Sequence, residues 1–189
     1  MKKIVLAGLM TLTLASTAMA AGGRPRFDLR WNQVVGVITA QGVLNPICAT
    51  DQQGNCVGTT INSGTFAWST RSGAAAVSLS TSEVAFHVEG LVINGTVFSG
   101  TAGPISQVEG TLVCNLGGAG EAIVDTPPVA LSLQGDAAFD GVVTGIPAVC
   151  DNPLFLIRIA TPAVALGRWI ATGALSTGGS QNHFNPRAN

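Results

Sequence analysis

The chain has 189 residues, of which only 10% are charged; its formal net charge is −1 and it contains no tyrosine. Such a balance, with no basic stripe, argues against nonspecific binding to nucleic acid or to an anionic lipid surface. Four cysteines and 47% hydrophobic residues suit a single disulfide-tied domain with a proper core.

Met1-Lys2-Lys3 opens the chain, an apolar run follows from Ile4 to about Leu14, and Ala18-Met19-Ala20 closes it. A charged start, an apolar middle and an A-x-A end are the order of a cleaved secretory signal. The apolar run is shorter than the roughly 20 residues a spanning helix needs. The expected organisation is a signal peptide over 1–20, a flexible segment over 21–26, one domain over 27–176 and a flexible tail over 177–189. The expected location is the periplasm or the extracellular space of a bacterium, with no stable membrane insertion once the signal is removed. Lys2 and Lys3 leave with the signal, so nine basic residues become seven arginines against ten acids, a formal charge of −3.

Cys48 and Cys56 bracket a short polar loop, and Cys114 and Cys150 lie farther on. An even cysteine count in an exported protein reads as disulfides. The expected pairs are Cys48–Cys56 and Cys114–Cys150. By loop-closure entropy the first contributes roughly 2.5 kcal/mol and the second roughly 4 kcal/mol. A zinc site would call for close C-x-x-C pairs, which the sequence lacks.

Period-two alternation dominates the middle of the chain. Ala75, Val77 and Leu79 share one face, as do Val84, Phe86 and Val88, and as do Val108, Leu112 and Cys114. Asn94-Gly95 between residues 91–93 and 96–98 predicts a type I′ hairpin, with Val92 facing Val97 and Leu91 facing Phe98. A second hairpin is expected to join 129–133 to 137–143 through Gln134-Gly135-Asp136, with Leu131 opposite Phe139. Residues 154–157 are apolar on both faces and read as a central strand; Arg168-Trp169-Ile170 begins another. Val-Glu-Gly occurs at 88–90 and again at 108–110, which two similar strand bends would explain. Short alternating strands parted by Gly, Pro, Asn and Ser predict an all-β fold, a single antiparallel β-sandwich of jelly-roll or immunoglobulin-like type.

Candidate chemistry is sparse. Glu83, His87 and Glu89 share the polar face of one strand, where a carboxylate beside an imidazole could bind a metal or act as an acid/base pair. One strand alone spaces His87 and Glu89 by roughly 7 Å, too far for direct proton transfer. Asp136 and Asp140, with Asp125, are a weaker calcium candidate, since turn chemistry and a polar face account for them. No G-x-S-x-G is present, and the second histidine, His183, falls in the tail. Gly117-Gly118-Ala119-Gly120 lacks a phosphate-loop lysine and reads as a turn. Trp31, Trp68 and Trp169 lie in apolar strands and read as core; Arg158 and Arg168 read as structural ion-pair partners, with Asp151 a possible acid. No cofactor is expected. The sequence favours an exported non-catalytic protein of the cell envelope or surface, acting by macromolecular binding or self-assembly. The alternative is a secreted hydrolase or metal-dependent enzyme centred on His87.

Overall fold

A computed structural model describes residues 27–162 and 165–175; the expected signal peptide, the two flexible ends and His183 lie outside the described residues. Thirteen strands follow one another, and no α-helix occurs among the described residues. They are β1 (Leu29–Gly36), β2 (Pro46–Thr50), β3 (Cys56–Asn62), β4 (Ala67–Ser69), β5 (Ser72–Val77), β6 (Glu83–Glu89) and β7 (Val92–Asn94). The chain continues with β8 (Gln107–Cys114), β9 (Ala122–Asp125), β10 (Val129–Ala130), β11 (Ala137–Val142), β12 (Leu154–Thr161) and β13 (Trp169–Leu175). No helix among the described residues is long and apolar enough to cross a membrane.

One large antiparallel sheet runs β10-β8-β12-β13-β1-β5-β6-β11, with β9 also paired to β8. The hairpin β2–β3 and the pair β4–β7 are separate two-stranded sheets. The large sheet is strongly curled. Phe86 on β6 and Phe155 on β12 are four strands apart, roughly 19 Å on a flat sheet at about 4.8 Å per strand. Their ring centroids nevertheless stand 5.8 Å apart, and Trp31 on β1 meets Phe155 at 5.4 Å. These rings form the centre of the core, with Val84, Val88, Val108, Leu112 and Val77 buried around them. The alternating residues therefore face inward as their period requires. All three tryptophans are buried.

The strand over 154–157 does hold a central place, between β8 and β13, and runs on through Arg158 to Thr161. Both disulfides are formed, Cys48–Cys56 across β2 and β3 and Cys114–Cys150 from the buried end of β8 to the turn before β12.

Both expected hairpins differ from what is found. β7 pairs with β4, setting Ile93 against Trp68, not with residues 96–98. Ile93 instead exchanges hydrogen bonds with Gly100 and Thr101, so the chain returns through a longer loop and leaves Val97 95% exposed. At Gln134-Gly135-Asp136 the chain does turn, with the Gly135 N–H on the Ser132 carbonyl. The flanking strands then part: β10 pairs with β8 and β11 with β6, so Phe139 lies opposite Phe86, not Leu131. The repeated Val-Glu-Gly is not a repeated bend. Gly90 turns the chain after β6 with φ 63°, whereas Gly110 lies inside β8.

Candidate functional site

Residues Glu83, His87 and Glu89 alternate along β6 with the buried Val84, Phe86 and Val88, so they share the outward face of the sheet. Their side chains are half-buried. Both carboxylates have hydrogen-bond partners in neighbouring residues. Glu83 accepts a hydrogen bond from the Thr81 hydroxyl at 2.7 Å. Glu89 accepts one from the Ser72 hydroxyl at 3.0 Å and pairs with Arg71 at 3.3 Å. The register brings a different acid near the imidazole: Ala138 stands opposite His87 and Asp140 opposite Ala85, which sets Asp140 diagonal to His87 on that face. A strand pairing fifty residues away in sequence made this neighbour invisible to single-strand reasoning.

The three aspartates of the calcium candidate are dispersed. Asp125 ends β9 and takes hydrogen bonds from Thr111 and Arg158. Asp136 sits in the turn, accepting from the Gly90 N–H at 3.0 Å while its own N–H donates to Ser132 Oγ at 2.9 Å. Among the described residues no three His, Cys, Asp or Glu side chains group closely enough to hold a metal ion.

Arg158 does make ion pairs, though not with Asp151. Its Nη1 lies 2.9 Å from Asp125 and 3.9 Å from Glu109, and its Nε donates to the Gly167 carbonyl at 2.7 Å. Burial, reinforced by the Asp125 charge, holds the Glu109 carboxyl above its ordinary range, with Arg158 acting against both. Elsewhere the Thr59 hydroxyl and the Gly117 N–H hold Glu121 below its ordinary range. The Asn55 N–H does the same for Asp51 inside the first disulfide loop, while slight burial opposes it.

An apolar concavity lies at one end of the curled sheet. Its volume is about 430 Å³, within the roughly 300–1,000 Å³ usual for small-molecule sites. Trp68, Ile93 and Ile159 line it from β4, β7 and β12, with Phe66, Phe98 and Ile105 from loops. The β4–β7 pairing sets Trp68 beside Ile93, and the Trp68 N–H donates to the Val37 carbonyl at 2.8 Å, fixing β4 across the end of β1. Gly36 permits that crossing, because a Cβ there would sit 2.3 Å from the Trp68 carbonyl oxygen. Among the described residues the one charged residue in the lining is Arg168, held at the start of β13 by the Ile159 N–H on its carbonyl. Its guanidinium has no ion-pair partner among the described residues, in contrast to Arg158.

Arg168 also borders a second cleft of about 370 Å³, where Thr59, Thr60, Asn62 and Arg158 supply polar groups. The loops of this end carry exposed apolar side chains: Ile38, Val43, Leu44, Val97, Phe98 and Leu166. Phe98 itself lines the pocket, and the loop that carries Ile38, Val43 and Leu44 is tied to it by backbone: the Gly42 N–H donates to the carbonyl of Thr65, a lining residue, and the Asn45 side chain donates to the Ile38 carbonyl. Sequence reading missed this site. Its only signal was apolar residues in stretches that carry turn chemistry, such as Val97-Phe98 after Asn94-Gly95.

No protein-family model matches the chain, no curated protein matches it, and no solved structure matches it.

Proposed function

We propose that this is an exported, non-catalytic protein of the bacterial cell envelope or surface that binds another envelope component through the loop end of its sheet. The observation that carries the reading is an apolar pocket whose lining includes the exposed Phe98, with further exposed apolar side chains, Val97 among them, on nearby loops. An apolar pocket with exposed apolar side chains beside it suits an interaction site. Two disulfides support export, since such bonds persist in oxidising compartments. The finer fold assignment is a β-sandwich, in which the flank β8–β12–β13 packs on the flank β5–β6–β11; the Phe86–Phe155 contact supports it.

The test has two arms. Expression with the full leader is expected to yield a protein beginning at Ala21 outside the cytoplasm; retention of an intact chain in the cytoplasm overturns export. Sedimentation of the mature protein is expected to show a monomer over a wide concentration range. Association that the double substitution Val97→Ser and Phe98→Ser abolishes would make the loop end a self-assembly surface instead.

A further inference from the structure

We propose that the loop-end pocket takes a single-chain amphiphile with an anionic head, its apolar chain among Trp68, Ile93, Ile105 and Ile159 and its head on the Arg168 guanidinium. The inference rests on the binding reading above and names the chemistry of the ligand. Three observations converge. The pocket is walled by apolar and aromatic side chains, so it rewards an apolar chain and penalises a polar one. Arg168 is the single charge in that wall and has no carboxylate partner among the described residues. A wholly apolar ligand would cover the guanidinium without neutralising it, whereas a carboxylate meets its fork of N–H donors with two parallel hydrogen bonds. Lastly, Arg168 is shared between the apolar pocket and the more polar cleft beside Thr59, Thr60 and Asn62. An apolar compartment and a polar one meeting at a cation have the polarity profile of an anionic amphiphile, chain on one side and head on the other.

Arg158 borders the same polar cleft but is already neutralised by Asp125 and Glu109, so it adds little attraction of its own. That leaves Arg168 to discriminate between charged and neutral heads.

Calorimetric titration of the intact mature protein with dodecanoate and with dodecanol, each kept monomeric, tests this. Dodecanoate is expected to bind at one site per chain, about tenfold or more tighter than dodecanol, the scale of one charge-assisted hydrogen bond. Arg168→Gln is expected to erase that preference and leave dodecanol binding unchanged; Arg168→Lys is expected to restore part of it. Ile105→Trp, which fills the pocket, is expected to weaken both ligands, with circular dichroism confirming the fold. Equal affinity of the wild type for the two ligands overturns the role of Arg168. Undiminished binding by a folded Ile105→Trp variant overturns the pocket. If neither ligand binds, the amphiphile inference fails while export and the loop-end contact remain open to their own tests. Binding only to vesicles of phosphatidylglycerol, and not to dodecanoate, overturns uptake of a single chain.

Discussion

Phe86 and Phe155 meet across the core with ring centroids 5.8 Å apart, and both rings crowd the position where Gly110 would carry a side chain. A Cβ on Gly110 would lie 2.8 Å from each ring. The curl of the sheet, the two rings and the absent side chain are therefore one feature: with glycine at 110, β8 passes beneath the aromatic pair without displacing either ring.

Gly110→Ala is accordingly expected to destabilise the fold by about 1–3 kcal/mol, the usual cost of overpacking. Phe86→Leu in the same chain relieves the collision on one side, so the double variant should lose less than the two single losses added together. Urea unfolding of the four proteins measures this; strict additivity would show that Gly110 and Phe86 do not share the space.

The two disulfides should differ in weight. Cys114–Cys150 closes a loop with sequence separation 36 and starts from a fully buried residue, whereas Cys48–Cys56 has separation 8 and lies on a largely exposed hairpin. Replacing the first pair by alanine is expected to cost roughly 4 kcal/mol and the second roughly 2.5 kcal/mol by loop entropy. Denaturant midpoints of the two double variants give the comparison. A larger loss from the exposed hairpin would contradict it.

Some of this structure is legible in the sequence, and the divide has a physical cause. The inward faces of β6 and β8 follow from alternation alone, because side chains on a strand must alternate whatever its partner. The cysteine pairs follow from spacing and the buried face of Cys114. Strand partners do not follow. Asn94-Gly95 and Gly135-Asp136 do mark reversals of the chain, yet β7 leaves its reversal to pair with β4, and β10 and β11 leave theirs for β8 and β6. Turn residues report local backbone geometry and carry no information about which distant strand offers the better buried face. The Arg158–Glu109 pair depends on the β8–β12 register, and the pocket on loops from several segments, so neither had a local signal.

Glu109 gives the protein a pH dependence with a definite sign. Burial raises its pKa above the unfolded value, with the neighbouring Asp125 charge adding to the rise. Between the unfolded and folded values the native state binds more protons, so stability falls as pH rises through that window and the loss is complete above the folded pKa. Glu121 and Asp51, both lowered, act in the opposite sense at more acid pH. Glu109→Gln is expected to remove the fall between mildly acid and neutral conditions and to match or exceed the wild type at neutral pH. Chemical unfolding across that range checks it, and a variant clearly weaker at neutral pH would mean that the pairing with Arg158 outweighs burial.

Arg158 itself should be harder to replace than Glu109. It is the cation between two carboxylates, at 2.9 Å from Asp125 and 3.9 Å from Glu109, and its Nε also holds the Gly167 carbonyl. Arg158→Met leaves two acids facing each other without the cation and one carbonyl without its donor. The Arg158 side chain is 17% exposed and that of Asp125 40%, so solvent softens the effect. The expected loss is about 1–3 kcal/mol, below the roughly 3–5 kcal/mol of a fully buried pair broken on one side. Acidification should restore part of it, because protonating Glu109 removes the repulsion that Arg158 had screened. Arg158→Lys keeps the charge but cannot serve Asp125 and Gly167 with one rigid fork, so it should fall between the two. Adding Glu109→Gln to Arg158→Met separates the contributions: recovery of most of the loss would assign it to the carboxylate pair, and no recovery would assign it to the Gly167 hydrogen bond that anchors the turn into β13.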